Sequence, residues 1–264
     1  MIRQIILRAV ALTAFLLLVL LWVIDPTLSQ DPVSDFLWRS VCLRFAGSIV
    51  FLMLLCSLKY RVMEKFSAKH LAVLLPCLLV VVNNLPLLSL LDGSCRVMRP
   101  DLIWLFALDC LLVGIFEELA FRGTLFLAIL ERRRQSTGQI VFVTVLASAL
   151  FGLVHLANLA EGADVGATLL QVGYSFLIGG MCSIVLLKTG NLIFCILLHA
   201  IYDFCGGLLP TLGEGRWWDL PTVIVTAILA FAVSTWMVYT LCRVRPTDLL
   251  YFFPSTKEVD GKAE

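Results

Sequence analysis

Charged residues are scarce in this sequence. Asp, Glu, Lys and Arg make up only 15% of its 264 residues, whereas 60% are hydrophobic and the mean hydropathy is +0.97. A soluble domain of this length needs a polar exterior that such a composition does not provide. The net charge of +1 and the dispersal of basic residues among loops give no basis for nucleic-acid binding. The composition therefore predicts a polytopic membrane protein.

Local metal-binding motifs are also lacking. The nine cysteines form no CxxC pair and no Cys/His spacing typical of zinc sites, and no HExxH motif is present. Most of these cysteines lie in or beside apolar runs, and only Cys95 occupies a clear loop. We interpret them as small apolar packing residues.

Long apolar runs dominate the chain instead. A spanning helix needs about 20 mostly apolar residues. The runs that qualify are 5–24, 41–58, 71–91, 102–130, 140–160, 167–187, 191–210 and 220–242. Asn83, Asn84 and Pro86 interrupt the third run, which predicts a kink there. The expected fold is an all-α polytopic membrane helical bundle with about eight transmembrane helices.

Basic residues are distributed unequally between the predicted loops. If the N-terminus is inside, 14 of the 20 Lys and Arg residues fall in inner segments, 4 in outer loops and 2 inside spans. Cytoplasmic loops carry an excess of basic residues. Both termini are therefore expected in the cytoplasm.

Few polar or ionisable side chains remain inside the predicted spans, and such residues are functional candidates because they are costly to hold in a bilayer. They are Arg44, Asp109, Glu117, Glu118, Arg122, His155, Asn158, His199 and Asp203. The alternative interpretation is that they only form interhelical hydrogen bonds or salt bridges. Arg44, near the outer end of its span, can reach the interface or pair with Asp109.

Three of these residues are expected at similar depth on different helices. At a rise of about 1.5 Å per residue, Glu117, His155 and His199 lie roughly 14–24 Å from the inner ends of their spans. The hydrocarbon core of a bilayer is about 30 Å thick, so all three are able to meet in its middle. One carboxylate and two imidazoles at one depth predict a site.

Helical spacing separates the neighbouring charges. Glu118 and Arg122 are four residues apart with the acid first, so they are expected to pair on one face. Glu117 is turned about 100° away and is free to face a different partner. Asp203, one turn after His199, is expected to accept the ring N–H of that histidine or to join the site itself.

A glutamate with two histidines in a sheltered pocket suits the activation of water. Glu117 could take a proton from water attacking a peptide carbonyl, while His155 and His199 stabilise the oxyanion or orient the water. The same three residues could instead bind zinc as a set of two histidines and one carboxylate.

Three ordered motifs lie in three different predicted spans. EELAFR matches EExxxR, FGLVH matches FxxxH, and HAIYD stands where HxxxN or HxxxD is expected. Together they resemble the motifs of the CPBP family of intramembrane endopeptidases. The family includes the prenyl-protein CAAX endopeptidases and bacteriocin-processing or immunity proteins. The resemblance covers about 115–205. A single integral membrane domain, 1–264, would then comprise the first three spans in 1–100, a catalytic core with the fourth to seventh spans in 101–210, and the last span with a cytoplasmic tail in 211–264.

The resemblance also implies roles for individual residues. Glu117 would be the catalytic base, with His155 and His199 as its catalytic partners. Supporting residues would be Glu118, Arg122 and Asp203, and we add the intramembrane Asn158 to them. Asp203 stands where CAAX-type members usually have asparagine. The implied mechanism depends on the glutamate and needs no cofactor; a zinc protease is the alternative.

The expected substrate is a peptide or protein already held in the bilayer, by a lipid or by a transmembrane segment, because no soluble substrate-binding domain is attached. The compact chain and its short loops favour a bacterial inner membrane. Two other functions stay open: a non-catalytic immunity or scaffold protein of the same fold, and a proton-coupled transporter that uses the carboxylates as a relay.

Overall fold

The computed structural model describes residues 26–215 and 220–253, together with scattered positions before residue 26. The predicted first span, 5–24, lies for the most part outside the described residues. Where it is described, the chain is mainly helical. Its α-helices are α1 (Pro32–Leu58), α2 (Leu71–Asn83), α3 (Leu87–Leu91), α4 (Ile103–Glu118), α5 (Leu127–Arg132), α6 (Thr137–Val154), α7 (Val165–Thr189), α8 (Leu192–Leu212) and α9 (Leu220–Leu241).

Helix length and composition indicate which segments are able to span a membrane. Five helical segments of the described residues are long and apolar enough to cross a membrane: Pro32–Leu58, Thr137–Glu161, Val165–Thr189, Leu192–Leu212 and Leu220–Leu241. A shorter apolar helix covers Ala68–Asn83. The fold is an all-α polytopic membrane bundle, as the composition predicts.

One span begins earlier than predicted, and another is interrupted where the sequence predicts. Helix α1 begins at Pro32 rather than at residue 41, because the Asp31 side chain accepts a hydrogen bond from the backbone N–H of Ser34 and proline fits the first helical position. The predicted interruption of the third span is confirmed, since α2 ends at Asn83. The Asn84 side chain then donates to the carbonyl of Tyr202, which ties the break to α8.

The fourth predicted span changes helical form midway. Helix α4 ends at Glu118, the π-helical segment Leu119–Phe126 follows, and α5 continues from Leu127 to Arg132. π-helical turns are rare and frequently occur at functional sites. Because Glu117 and Glu118 end α4 while Arg122 lies in the π segment, the change of form falls within the EExxxR motif.

Two glycines allow the helices around this segment to approach closely. A Cβ atom on Gly114 of α4 would lie 2.8 Å from the carbonyl oxygen of Ile196 in α8. A Cβ atom on Gly152 of α6 would lie 2.7 Å from the carbonyl oxygen of Val172 in α7. Small residues permit such backbone contacts in membrane bundles. Gly114 precedes Glu117 and Gly152 precedes His155 by one turn, so each contact helps to position a predicted site residue.

A short antiparallel ribbon, which the sequence analysis does not predict, joins two loops. Strand β1 (Cys95–Val97) pairs with β2 (Gly213–Gly215), with Arg96 opposite Glu214. The side chains of that pair form an exposed ion pair at 2.7 Å. The ribbon connects the segment before α4 to the end of α8, the two helices that carry the glutamates and His199.

Candidate active site

The two adjacent glutamates occupy different environments. The Glu118 side chain is fully buried, whereas 20% of the Glu117 side chain is exposed. Arg122 Nη1 lies 2.9 Å from Glu118 Oε1, and the arginine side chain is only 2% exposed. The predicted pairing of Glu118 with Arg122 is therefore confirmed. Glu117 is left as the accessible carboxylate of the motif.

The Arg122 guanidinium is held by charge and by an aromatic ring. Its central carbon lies 4.1 Å from the centroid of the Phe151 ring, at a distance typical of a cation–π contact. The terminal nitrogens of Arg122 and Glu118 Oε2 make no hydrogen bond of good geometry with the described residues. A Cβ atom on Gly179 would lie 3.1 Å from Arg122 Nη2, so α7 closes this side of the pocket.

His199 lies between the two glutamates. Its Nδ1 is 2.7 Å from Glu118 Oε1, and because an ionised carboxylate only accepts, Nδ1 carries the proton of that hydrogen bond. Its Nε2 lies 3.6 Å from Glu117 Oε2 and 3.5 Å from Asp203 Oδ2. An oxygen atom at hydrogen-bonding distance from both Glu117 and His199 would fit at the apex of such a triangle.

The partner of the His199 ring N–H differs from the expected one. The spacing predicts Asp203 as an acceptor, but Glu118 from α4 makes the short contact and Asp203 lies at 3.5 Å from the other nitrogen. The close approach of α4 and α8 at Gly114 explains the difference, because it brings Glu118 directly against α8. Asp203 does join the same cluster, which was the second expectation.

His155 contacts this cluster indirectly, through the ring of Phe151. It follows the last residue of α6, and its Nδ1 lies 3.0 Å from the carbonyl oxygen of Phe151. Since a carbonyl only accepts, Nδ1 carries the proton and Nε2 is left as an acceptor in the neutral ring. The Phe151 ring packs edge-on against His155 at 5.4 Å and against His199 at 5.8 Å. Phe151 therefore separates the two histidines.

Asn158 lies further along the same segment. It belongs to the 3-10 helix His155–Glu161, and its side-chain amide donates to Gln171 Oε1 at 2.8 Å. This bond ties the 3-10 helix to α7. The structure thus gives Asn158 a link between elements and places Glu117, Glu118, Arg122, His199 and Asp203 in one contact cluster.

The alternative zinc set does not fit this geometry. Zinc ligands lie about 2.0–2.2 Å from the metal, so three of them must point at one position. Within residues 26–215 and 220–253, no group of three His, Cys, Asp or Glu residues is arranged to hold a metal ion. His199 Nδ1 already bonds Glu118, and Phe151 lies between His155 and His199.

A second polar cluster lies beside the first, between α1 and α4. Ser40 donates to Asp109 and accepts from Arg44, and Arg44 Nη1 lies 3.9 Å from Asp109 Oδ1. The expected pairing of Arg44 with Asp109 is confirmed, with Ser40 as a bridge that the sequence analysis does not predict. Asp109 lies on α4, the helix that also carries Glu117 and Glu118.

Two tyrosines near the site belong to none of the three sequence motifs. Tyr174 of α7 and Tyr202 of α8 have ring centroids 6.0 Å apart, and Tyr202 immediately precedes Asp203. The sequence places Tyr174 three residues after Gln171, on the same helix face, and gives no other indication that this tyrosine lies near the site.

A comparison with protein-family models identifies the segment that carries these residues. Residues 99–205 match the model of the Rce1-like type II CAAX prenyl endopeptidases. This segment is similar to the CAAX endopeptidase family. All three motifs lie within it, and the predicted resemblance is confirmed. No curated protein and no solved structure gave a significant match to the chain.

The match to the CAAX prenyl endopeptidases supports a protease. It agrees with the apolar helices, which make the chain an integral membrane protein. Similarity to this family and the apolar helices together suggest a membrane-embedded substrate.

Proposed function

We propose that the chain is an intramembrane endopeptidase in which Glu117 activates the water that attacks a peptide bond. The observation that carries the proposal is the contrast between the two glutamates. Glu118 is fully buried between Arg122 and His199, whereas Glu117 is partly exposed and lies 3.6 Å from His199 Nε2. A general base needs both access to water and a partner that fixes its position.

The proposed reaction is a hydrolysis with two proton transfers. Glu117 takes a proton from water while the water oxygen bonds to the carbonyl carbon, and the carbonyl oxygen becomes an oxyanion. Glu117 then gives the proton to the amide nitrogen as the C–N bond breaks, which releases an acid and an amine. Glu118 holds His199 through Nδ1, so that Nε2 stays directed at Glu117.

His155 has a supporting role in this proposal. Its unprotonated Nε2 can accept a hydrogen bond from the attacking water, which would orient the water without removing the proton from reach of Glu117. Phe151 keeps the two imidazoles apart, so each can serve a different atom of the reacting group. Supporting contacts come from Arg122 and Asp203.

We propose that the substrate is a membrane-anchored peptide or protein, either lipidated or ending in a transmembrane segment. The matched family is described as Rce1-like type II CAAX prenyl endopeptidases. A bacterial inner membrane and a cytoplasmic position of both termini are proposed from the short loops and the distribution of basic residues.

A cleavage assay tests this function. The purified protein, in detergent and in vesicles, is incubated with a farnesylated peptide that has three residues beyond the modified cysteine. A second probe carries the same residues after a transmembrane segment. Mass spectrometry of the products should show one cleaved bond with the wild type. Glu117→Ala, His199→Ala and His155→Ala should lower the rate, the first by about 10²- to 10⁴-fold.

Two results would count against the proposal. Cleavage at the wild-type rate by folded Glu117→Ala would remove the glutamate from the mechanism. Failure of the wild type to cleave either probe would favour the non-catalytic immunity or scaffold interpretation, or the proton-coupled transporter.

The same assay tests the role of a metal. Because the described carboxylates and imidazoles form no three-ligand group, we expect cleavage to persist after incubation with EDTA or 1,10-phenanthroline. Loss of activity on chelation, with recovery on addition of Zn²⁺, would instead establish the zinc mechanism.

A further inference from the structure

Gly179 leaves space beside two residues of the site. This glycine lies within α7, and a Cβ atom on it would lie 3.0 Å from Cδ1 of Phe151 and 3.1 Å from Nη2 of Arg122. Both distances are shorter than the separation of about 3.5–4.0 Å at which non-bonded heavy atoms attract each other. Glycine is less favourable than alanine inside a helix. The absent side chain therefore allows α7 to approach these two groups.

The Phe151 ring is tightly packed on its other sides. Only 1% of this residue is exposed. The Arg122 guanidinium lies 4.1 Å from the ring centroid, and Phe121 packs edge-on with centroids 4.9 Å apart. His155 and His199 pack against the same ring at 5.4 Å and 5.8 Å, at interplanar angles of 87° and 89°. In so dense an interior, a displacement of the ring must move these neighbours as well.

The Phe151 ring is thus the common neighbour of both histidines that are proposed to assist catalysis. Each histidine is also held by one hydrogen bond: Nδ1 of His199 to Glu118, and Nδ1 of His155 to the carbonyl of Phe151. One bond determines the tautomer of an imidazole but leaves its plane free to tilt. The perpendicular contacts with Phe151 restrict that tilt, so the position of the ring sets the directions of both Nε2 atoms.

We propose that Gly179 is a positioning residue for the peptidase site. By leaving room for the Phe151 ring and for Arg122, it holds His155 and His199 at the angles that proton transfer requires. Gly179 itself contacts no substrate in this account. The inference rests on the proposed peptidase function, and it assigns a role to α7, which carries none of the three motifs.

Gly179→Ala and Gly180→Ala form a matched pair, because they add the same methyl group at adjacent positions of one helix. A Cβ atom on Gly180 would meet Ser148 Oγ at 3.6 Å, which is an ordinary contact. Kinetics are measured with whichever of the two anchored peptides the wild type cleaves faster. We expect Gly179→Ala to lower kcat at least about tenfold with KM within about twofold, since misplaced catalytic groups slow the chemical step. Gly180→Ala should keep the wild-type kcat.

Histidine NMR measures the placement of the rings without any substrate. The chain has only three histidines, so selective labelling of a preparation without a polyhistidine tag gives three imidazole signals. The signals of His155 and His199 depend on the Phe151 ring, whose circulating electrons shift nearby nuclei, whereas His70 lies against other aromatic rings. Gly179→Ala should move the first two signals and leave that of His70 in place. The control variant should move none.

Phe151→Val tests whether the ring transmits the effect, since valine ends before the Cδ position that Gly179 faces. It should itself lower kcat, and this result does not depend on whether Gly179→Ala folds. Adding Gly179→Ala to Phe151→Val should lower kcat by a smaller factor than adding it to the wild type, because the closer of the two contacts is then absent.

Several results would overturn the inference: unmoved His155 and His199 signals in folded Gly179→Ala, wild-type kcat in that variant or in Phe151→Val, or equal factors in the two backgrounds. In each case cleavage by the wild type and its loss in Glu117→Ala would leave the peptidase proposal intact. Failure of the wild type to cleave either peptide would remove that proposal, and the histidine signals would still decide whether Gly179 controls the two rings.

Discussion

At the residue scale, Glu117 and Glu118 share a side chain but differ in their neighbours. Glu118 has no exposed surface, and it contacts a guanidinium and a ring nitrogen at 2.9 Å and 2.7 Å. Glu117 is partly exposed and meets the opposite nitrogen of the same ring. A carboxylate that holds an imidazole in one orientation is best kept from water, whereas a base must meet its substrate. The two positions therefore suit different tasks.

Substitution of the two acidic partners of His199 separates their contributions. Glu118→Gln removes the charge that fixes Nδ1, whereas Asp203→Asn changes a group 3.5 Å from Nε2. We expect Glu118→Gln to lower kcat/KM at least about tenfold more than Asp203→Asn, because an acceptor that fixes the histidine tautomer has the larger effect. Peptide cleavage by both folded variants measures the difference. An Asp203→Asn enzyme slower than Glu118→Gln would show that the ring is held from the other side.

The sequence supports part of this site and leaves part undetermined. The pairing of Glu118 with Arg122 follows from spacing along one chain segment, and it is confirmed. The contact between Glu118 and His199 depends on how two helices are rotated against each other, which spacing within either helix does not determine. Tyr174 belongs to no motif, and its contact with Tyr202 depends on the packing of α7 against α8.

At the scale of elements, close helix contacts determine whether the site residues meet. Helix α4 packs between α1 and α8. Gly114 lies against the α8 backbone at Ile196 and Ala200, on either side of His199. Such an approach is possible only without a side chain. The order of the spans can therefore be predicted from the sequence, but the distance between α4 and α8 depends on one small residue, Gly114.

Gly114→Ala should disturb this contact. The added Cβ would lie 2.8 Å from the Ile196 carbonyl, so the helices must move apart. We expect a cost of about 1–3 kcal/mol in the free energy of unfolding and at least a tenfold loss of cleavage. Gly138→Ala is the matched control, because its Cβ would meet nothing nearer than 3.9 Å and alanine favours the helix. Equal activity of the two variants would show that the contact does not control the site.

Two elements could not be predicted from the residue pattern. The ribbon between Cys95–Val97 and Gly213–Gly215 has strands too short for an alternating pattern to be recognised. The π-helical segment Leu119–Phe126 has the same apolar character as the helices on both sides, so hydropathy does not distinguish it. The ribbon forms by pairing between two segments that are distant in the sequence.

At the scale of the whole molecule, loop contacts hold the ends of the bundle together. Arg99, just before α4, forms an ion pair with Asp31 at 2.8 Å and another with Asp101 at 2.9 Å. The pKa of Asp31 is lowered by the Ser34 N–H and then by Arg99, and the pKa of Asp101 is lowered chiefly by its hydrogen bonds to Arg99. This cluster joins the start of α1 to the start of α4.

The lowered pKa values give stability a pH dependence of known sign. A carboxyl group whose pKa is lower in the folded state stabilises the fold above the unfolded value of about 3.9, and this stabilisation is lost as the pH falls through the folded value. The melting temperature should therefore decrease as the pH is lowered below about 4. Arg99→Met should make that decrease shallower, which thermal denaturation in detergent at a series of pH values measures. An identical decrease in the variant would show that this cluster does not contribute.

The central claim is that one carboxylate, Glu117, performs the proton transfer in peptide-bond cleavage. The most direct measurement compares kcat for the anchored peptide between the wild type and Glu117→Gln, which keeps the size of the side chain. Glu214→Gln in the exposed ribbon serves as the control for the same chemical change. The account predicts a loss of about 10²- to 10⁴-fold for Glu117→Gln and wild-type kcat for Glu214→Gln. A folded Glu117→Gln enzyme that cleaves at the wild-type rate would contradict it.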